Sequence, residues 1–361
     1  LILPISNDQE LCIALGNTEA STYFAVQPLY TKYPSHAGIL ISSSNHYIRI
    51  PWENTCHPEW PKGEGHLPTN DTPARKGLIG SLVRQSHNGL YYYINESIVR
   101  GILAAGYEQV TMEAQAGMRT EGALIDRFID MGVSGVIITS NIFMTPDMFD
   151  RLRAAHIPAV AVEREYLSEG IDSLIVRDVS ACRDVVERMM RAGHERIGLV
   201  AMKPKRGVEK QRYEGFLSAF HAAGIRPDYD LIRLVDGYDI QYGRIAGESL
   251  FALPKPPTAL LCTADLLAAG VMQAAFARGL RVPDDLSIVG YDDVISKWLS
   301  PPINSVGLIV SEIGANVMEL LEKRMADPDR PTECRMIDTV YADRGSVRTL
   351  DRKKETVIRF E

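Results

Sequence analysis

Cysteine is scarce in this chain: there are five in 361 residues, and Cys12, Cys56, Cys182, Cys262 and Cys334 stand far apart. No C-x-x-C pair occurs, so neither a disulfide framework nor a zinc cluster is expected, and a reducing cytoplasm fits. Long apolar runs are lacking too. No stretch approaches the roughly 18 apolar residues a membrane-crossing helix needs. The opening LILPISNDQELCIAL has no basic n-region and no small-residue cleavage site, so no signal peptide is read there. Positive charge is short, and a formal net charge of −7 argues against a broad basic face for nucleic acid. Hydrolytic and phosphoryl-transfer motifs are missing as well: there is no G-x-S-x-G, no Walker loop, no H-E-x-x-H, and no G-x-G-x-x-G after the first strand. Neither an enzyme nor a resident cofactor or metal is expected.

What is present falls into two regions. Residues 1–74 hold three basic residues (Lys32, Arg49, Lys62) against seven acidic ones, and end in the Pro/Gly-rich run HPEWPKGEGHLPTNDTP. Short apolar runs in YFAVQPLY, AGILIS and HYIRIPW have strand character, and no helix pair with helix-turn-helix spacing is found. His36, His46, His57 and His66 lie about ten apart, which is not a metal-ligand rhythm. This segment stays unassigned.

From Gly77 the pattern changes to alternating strands and helices: GLIGSLV, INESIVRGILAAGY, QVTMEA, TEGALIDRFIDMG, SGVIITS, TPDMFDRLRAAH and PAVAVE. The strands are continuous apolar runs, as required where helices cover both faces of a parallel sheet. Gly106, Gly132 and His156-Ile157-Pro158 stop the helices before the next strand. A second series begins at DVSACRDVVERMMRAGH and runs to LSIVGYDD, and the chain closes with SEIGANVMELLEKRMA and CRMIDTVY. Two such series predict an α/β protein of two doubly wound parallel-sheet lobes joined by crossover strands. The expected limits are 75–350 for the two-lobed domain and 351–361 for a tail. The N-lobe is placed at about 75–177 plus 306–328, and the C-lobe at about 178–305 plus 329–350.

In open parallel sheets the ligand crevice lies beyond the carboxyl ends of the strands. The polar residues placed there are Asn88 and Tyr92 after the first strand, Glu163 and Arg164 after PAVAV, and Arg212 on the helix beyond RIGLVAM. Tyr238 in GYDIQY, Asp265 after PTALLCT and Asp292 after LSIVG complete the set. Carboxylates, an arginine fork and aromatic rings together suit a polyhydroxylated ligand, with directional bonds to hydroxyls and ring faces over C–H surface. Each residue also has a plainer role. Asp265 suits a helix N-cap, Asp292 and Asp293 suit turn caps, and Arg212 could pair with Glu209 or Glu214. Tyr91, Tyr92 and Tyr93 suit core or dimer contacts, Tyr238 a loop anchor, and Asn88 the Asn-Gly turn.

The stretches RAGHERIGLV, QRYEGFLSAFHAAGI and PTALLCTADLLAAGVMQAAFARGLRVPDDLSIVGYDD together resemble the LacI/GalR regulators. The likeness runs on through SPPINSVGLIVSEIGANVMELL to VYADRGSVRTL, about 275 residues in all. It implies a type I periplasmic-binding-protein-like fold, homodimers, and a small-molecule effector, a sugar or derivative, whose binding alters operator DNA affinity. Arg212 matches the family's effector-clamping arginine, and Asp292 the first aspartate of its G-[FY]-D-D turn. Tyr238 falls where an aromatic lies against ligand, and Glu163 and Arg164 match an acid–arginine pair. Asn88 and Tyr92 fall in a loop that is longer here than the family's SNPFF. The chain has Ala264 where the family usually has Asn before Asp265, which removes an amide from the cleft and points away from a common hexose. The family's helix-turn-helix and hinge helix are not recognisable in residues 1–74. The alternative reading with the same fold is an exported solute-binding protein of a sugar transporter.

Overall fold

A computed structural model describes residues 25–29, 38–43, 46–51, 76–84, 89–114, 120–139, 144–205 and 207–350. The chain separates into two units, Leu1–Asp71 and Thr72–Glu361. In the first, β1 (Ala25–Leu29), β2 (Gly38–Ser43) and β3 (His46–Pro51) form an antiparallel sheet with Val26 opposite Ile41 and Ile41 opposite Ile48. β1 and β3 fall inside the apolar runs YFAVQPLY and HYIRIPW, and β2 overlaps AGILIS and ends one residue beyond it. Among the described residues of this unit there is no helix. His36, His57 and His66 lie outside the described residues.

In the second unit the short apolar runs become buried parallel strands. The first lobe is built from β4 (Leu78–Arg84), α1 (Leu90–Ala104), β5 (Glu108–Ala114), α2 (Glu121–Asp130), β6 (Gly135–Ile138), α3 (Pro146–Ala154), β7 (Ala159–Val162) and β8 (Asp172–Val176). The chain then crosses to α4 (Asp178–Arg191), β9 (Ile197–Met202), α5 (Val208–Ala222), β10 (Ile232–Val235), α6 (Ile240–Phe251), β11 (Ala259–Cys262), α7 (Asp265–Phe276), β12 (Ser287–Asp292) and β13 (Asn304–Leu308). It returns through α8 (Val310–Ala326) and β14 (Cys334–Ile337), then crosses once more to β15 (Thr339–Ala342). One sheet has the order β14-β8-β7-β6-β4-β5 and is wholly parallel. The other is β10-β9-β11-β12-β13-β15, parallel except for the antiparallel β15.

Position in the sheet explains the strand composition. β6, β7, β11 and β13 are buried along their whole length, whereas edge strand β5 is exposed or half-buried at every residue but its last. The helices covering the sheets cross very closely where glycines meet. A Cβ on Gly101 of α1 would collide with the backbone of Gly314 in α8, and one on Gly270 of α7 with the Ile240 carbonyl of α6. Replacing either glycine by alanine would force a helix pair apart.

The lobe limits need correction. CRMIDTVY is two strands, not one, and they belong to different sheets: β14 pairs with β8 in the first lobe, and β15 with β13 in the second. Residues 334–337 therefore leave the C-lobe assignment, and 306–308, the end of β13, leave the N-lobe. The chain crosses between lobes three times, at Arg177, at Ile309 and at Asp338. Arg177 and Asp338 join two of these crossings by an exposed ion pair, Nε to Oδ1 at 2.8 Å. Among the described residues no helix is long and apolar enough to cross a membrane.

Candidate functional site

The carboxyl ends of β11 and β12, the start of α4 and the first turns of α5 converge on one guanidinium. Arg212 of α5 donates from Nε to Asp178 Oδ1 at 2.9 Å and from Nη1 to the Thr263 carbonyl at 2.8 Å. Its Nη1 also lies 3.1 Å from Asp292 Oδ1. The guanidinium carbon stands 3.9 Å from the centre of the Tyr291 ring, a cation–π arrangement. Arg212, Asp178 and Asp292 are 2 %, 1 % and 4 % exposed, so this ion cluster is buried rather than a solvated face. Arg212 pairs with neither Glu209 nor Glu214; Glu214 faces Lys210 instead.

Electrostatics follow from that burial. Removal from water alone would pull the Arg212 pKa down, but Asp178 and Asp292 hold it well above the usual arginine value, so the charge is fixed. Burial pushes the Tyr238 hydroxyl up, with Arg212 pulling the other way and Glu209, Asp292 and Asp178 adding to the rise. The cluster thus presents one permanent cation, two carboxylates and neutral hydroxyls. Not all of its polar capacity is used. The Tyr238 hydroxyl and the Thr263 hydroxyl are buried with no hydrogen-bond partner among the described residues. The bonds of Arg212 come from Nε and Nη1, and none runs from Nη2 among the described residues. Buried polar groups in native proteins are nearly always paired, and exceptions concentrate where a ligand completes them.

Backbone strain marks the same strand ends. Asp292 (φ 92°) and Asp293 (φ 52°) are consecutive left-handed residues, and Glu163, after β7, has φ 60°. Glu163 is 3 % exposed, and its N–H donates to the Leu174 carbonyl at 2.7 Å. Arg164 donates to the Tyr166 hydroxyl at 3.3 Å. Its Nη2 also comes within 3.8 Å of where a Gly207 Cβ would sit, so it reaches across to the N-terminus of α5.

Of the residues read from the sequence, Arg212, Asp292 and Tyr238 gather in this cluster; Arg164, from the first lobe, reaches the N-terminus of α5, and Glu163, before it in the chain, is buried. Tyr92 is not drawn in: it is 70 % exposed on α1 and packs edge-to-face on Tyr93 at 5.4 Å. Asn88 lies outside the described residues. Asp265 is buried next to the cluster but makes no bond to Arg212, and it does not cap its own helix. Asp178, Thr263 and Tyr291 were not singled out as site residues. Only Tyr291 left a signal, an aromatic directly before the paired aspartates. Among the described residues no group of His, Cys, Asp and Glu is arranged to hold a metal ion.

Two lobes, three crossings and a buried polar cluster at the strand ends define a periplasmic-binding-protein-like receptor. The family described as periplasmic binding protein-like domain matches residues 186–347. The chain is 33 % identical over 229 residues to the probable HTH-type transcriptional repressor ExuR of Bacillus subtilis, covering 62 % of this chain and 68 % of that protein. It is 32 % identical over 258 residues to the HTH-type transcriptional regulator MalR of Streptomyces coelicolor, covering 69 % and 74 %. Among solved structures, a LacI-family regulatory protein from Chloroflexus aggregans superposes with a TM-score of 0.68 at 26 % identity, covering 75 % of this chain and 98 % of that one. A LacI-family regulator from Enterococcus faecium with bound ribose shares the fold with a TM-score of 0.67 at 21 % identity, covering 76 % and 100 %. This chain belongs to the LacI family of transcriptional regulators. These relatives are transcriptional regulators, which sets aside the transporter solute-binding alternative.

Proposed function

We propose that the cluster around Arg212 is the effector site of this regulator, and that it takes a small polyhydroxylated metabolite, a sugar or a derivative of one. The observation that carries this reading is the incomplete pairing of a buried cluster. Arg212 is held rigid by Asp178 and the Thr263 carbonyl, while its Nη2 and the Tyr238 and Thr263 hydroxyls are left without partners among the described residues. Paired hydroxyls on a ligand satisfy such donors and acceptors at once, and Tyr238 supplies a ring face. Glu163 and Arg164 act from the opposite wall, and closure brings them onto the same ligand.

Ligand binding favours one arrangement of the lobes about the crossings at Arg177, Ile309 and Asp338. A ligand that binds one arrangement more tightly shifts the population by that difference and no more. The readout is operator DNA affinity of a homodimer in the cytoplasm, through a DNA-binding head. Differential scanning fluorimetry against a sugar panel that includes D-ribose and cellobiose tests the receptor part. A hit raises Tm in a concentration-dependent way, by mass action on the folded state. Arg212→Ala removes that shift. An Arg212→Ala protein with an unchanged response refutes the assigned clamp.

A further inference from the structure

Asp265 lies within the effector-site region without contacting Arg212, and its environment explains why. It is the first residue of α7 and 2 % exposed. One carboxylate oxygen, Oδ2, accepts three successive backbone N–H groups: Val294 at 2.7 Å, Ile295 at 3.0 Å and Ser296 at 3.1 Å. The other, Oδ1, accepts the Ser305 hydroxyl at 2.7 Å. The Ser305 oxygen in turn accepts the Asp293 N–H at 3.2 Å. Every backbone N–H from Asp293 to Ser296 is therefore tied to Asp265 directly or through one hydroxyl.

The turn that receives these bonds opens with Asp292 and Asp293, both in the left-handed region and neither glycine. Two such residues in succession do not persist without external restraint. Successive N–H groups after a left-handed residue form a concave nest for an anion, and the Asp265 carboxylate fills that nest from within the chain. Arg344 also fastens the turn: its Nη2 lies 2.8 Å from Asp293 Oδ1, and its Nη1 donates to the Ser296 hydroxyl at 3.3 Å. Space for the carboxylate exists because position 290 is glycine: a Cβ there would strike Asp265 Oδ1.

We infer that Asp265 is a positioning residue, which by anchoring the 293–296 turn sets the Asp292 carboxylate against Arg212, and that it is not itself an effector contact. The inference rests on the effector-site reading only for the use to which Asp292 is put; the anchoring itself needs no ligand. Its carboxylate is buried and engaged by four donors of the turn and of β13, so its bonds go to the turn rather than to the cleft. The role also accounts for an acidic side chain at the start of α7 that does not cap it.

The test uses the full chain without ligand. Hydrogen–deuterium exchange is followed for the peptides spanning 292–299, α7 and β11, in wild type, Asp265→Asn and Gly290→Ala. Asp265→Asn presents an amide to the nest, and Gly290→Ala displaces the carboxylate without changing its charge. Both are expected to speed exchange at 293–296 by about tenfold or more, the equivalent of one lost charge-assisted hydrogen bond, with α7 and β11 unaltered. Tm values for Asp265→Asn, Asp292→Asn and the double variant close a cycle. Positioning predicts a double-variant loss clearly smaller than the sum of the single losses, which a general structural role would not produce. Unchanged exchange in the turn, an equal rise throughout the lobe, or additive Tm losses overturn the inference. If Asp265→Asn does not fold, the Gly290→Ala exchange pattern decides alone. A wild-type protein that ignores every sugar would count against the effector reading and leave this result untouched.

Discussion

The two lobes each contain a buried aspartate–arginine knot, and the knots are built to different ends. In the first lobe Asp172, with no exposed surface, opens β8. Its carboxylate accepts Arg324 Nε and Nη2 at 2.9 and 2.8 Å, Arg330 Nη1 at 3.1 Å and the Glu333 N–H at 2.7 Å. The remaining donors of Arg324 go to the carbonyls of Pro328, Arg330 and Pro331. This knot ties the end of α8 and the lead into β14 onto β8, and nothing in it is spare. The knot in the second lobe uses the same residue types around Arg212 but leaves hydroxyls and one guanidinium nitrogen without partners among the described residues. Residue identity therefore does not separate a structural ion cluster from a recognition site; the degree of satisfaction does.

Breaking the closed knot should cost most. Asp172→Ala leaves Arg324 buried beside no carboxylate, and a loss of about 3–5 kcal/mol in denaturant unfolding is expected. The effector response of the protein that remains folded should be unchanged. A smaller and opposite pairing of effects is expected at the open knot. Tyr238→Phe deletes a hydroxyl that has no partner among the described residues, so stability should hold or rise by about 1 kcal/mol, while effector affinity falls about tenfold. Stability and affinity falling together in Tyr238→Phe would mean that the hydroxyl is bonded within the protein.

The smallest effect lies on the surface. Arg335 and Lys323 bond Glu319 and hold its carboxyl down at about 2. A depressed carboxylate contributes stability above its ordinary pKa of 4.5 and loses it as the pH falls toward 2. Glu319 is half exposed, so the contribution is screened to under about 1 kcal/mol, and Glu319→Gln should flatten the acid limb of a Tm-against-pH curve slightly. A Glu319→Gln effect as large as that of Asp172→Ala would erase the distinction between exposed and buried pairs.

The same contrast explains how much could be read beforehand. Short apolar strands bounded by turn residues, such as SGVIITS after Gly132 and PTALLCT after Pro254 and Pro256, were legible because sheet burial demands them. DSLIV (β8) and NSVGL (β13) were not, because each opens with polar residues whose partners are remote in sequence. Asp172 is taken up by Arg324, and Ser305 by Asp265. Asn304 accepts the N–H groups of Arg344 and Ser346 and donates to the Tyr341 hydroxyl. Both hidden strands feed crossings between the lobes; the limit after β8 was placed at 177 all the same, whereas the one at β13 was set inside the strand, at 305/306. In the site, Arg212 and Asp292 were legible as strand-end and family-motif residues. Asp178 was not, since only the crossing after β8 brings it to Arg212. The Asp265 role was hidden for the same reason: its partners lie 29 to 40 positions away.

The most direct test of the central claim is a crystal structure of the protein with a sugar that raises its Tm. The account predicts ligand hydroxyls within about 3.2 Å of Arg212 Nη2, the Asp292 carboxylate and the Tyr238 hydroxyl, with the four bonds of Asp265 intact. A ligand seated elsewhere on the lobes, with the Arg212 cluster unaltered and unoccupied, would contradict it.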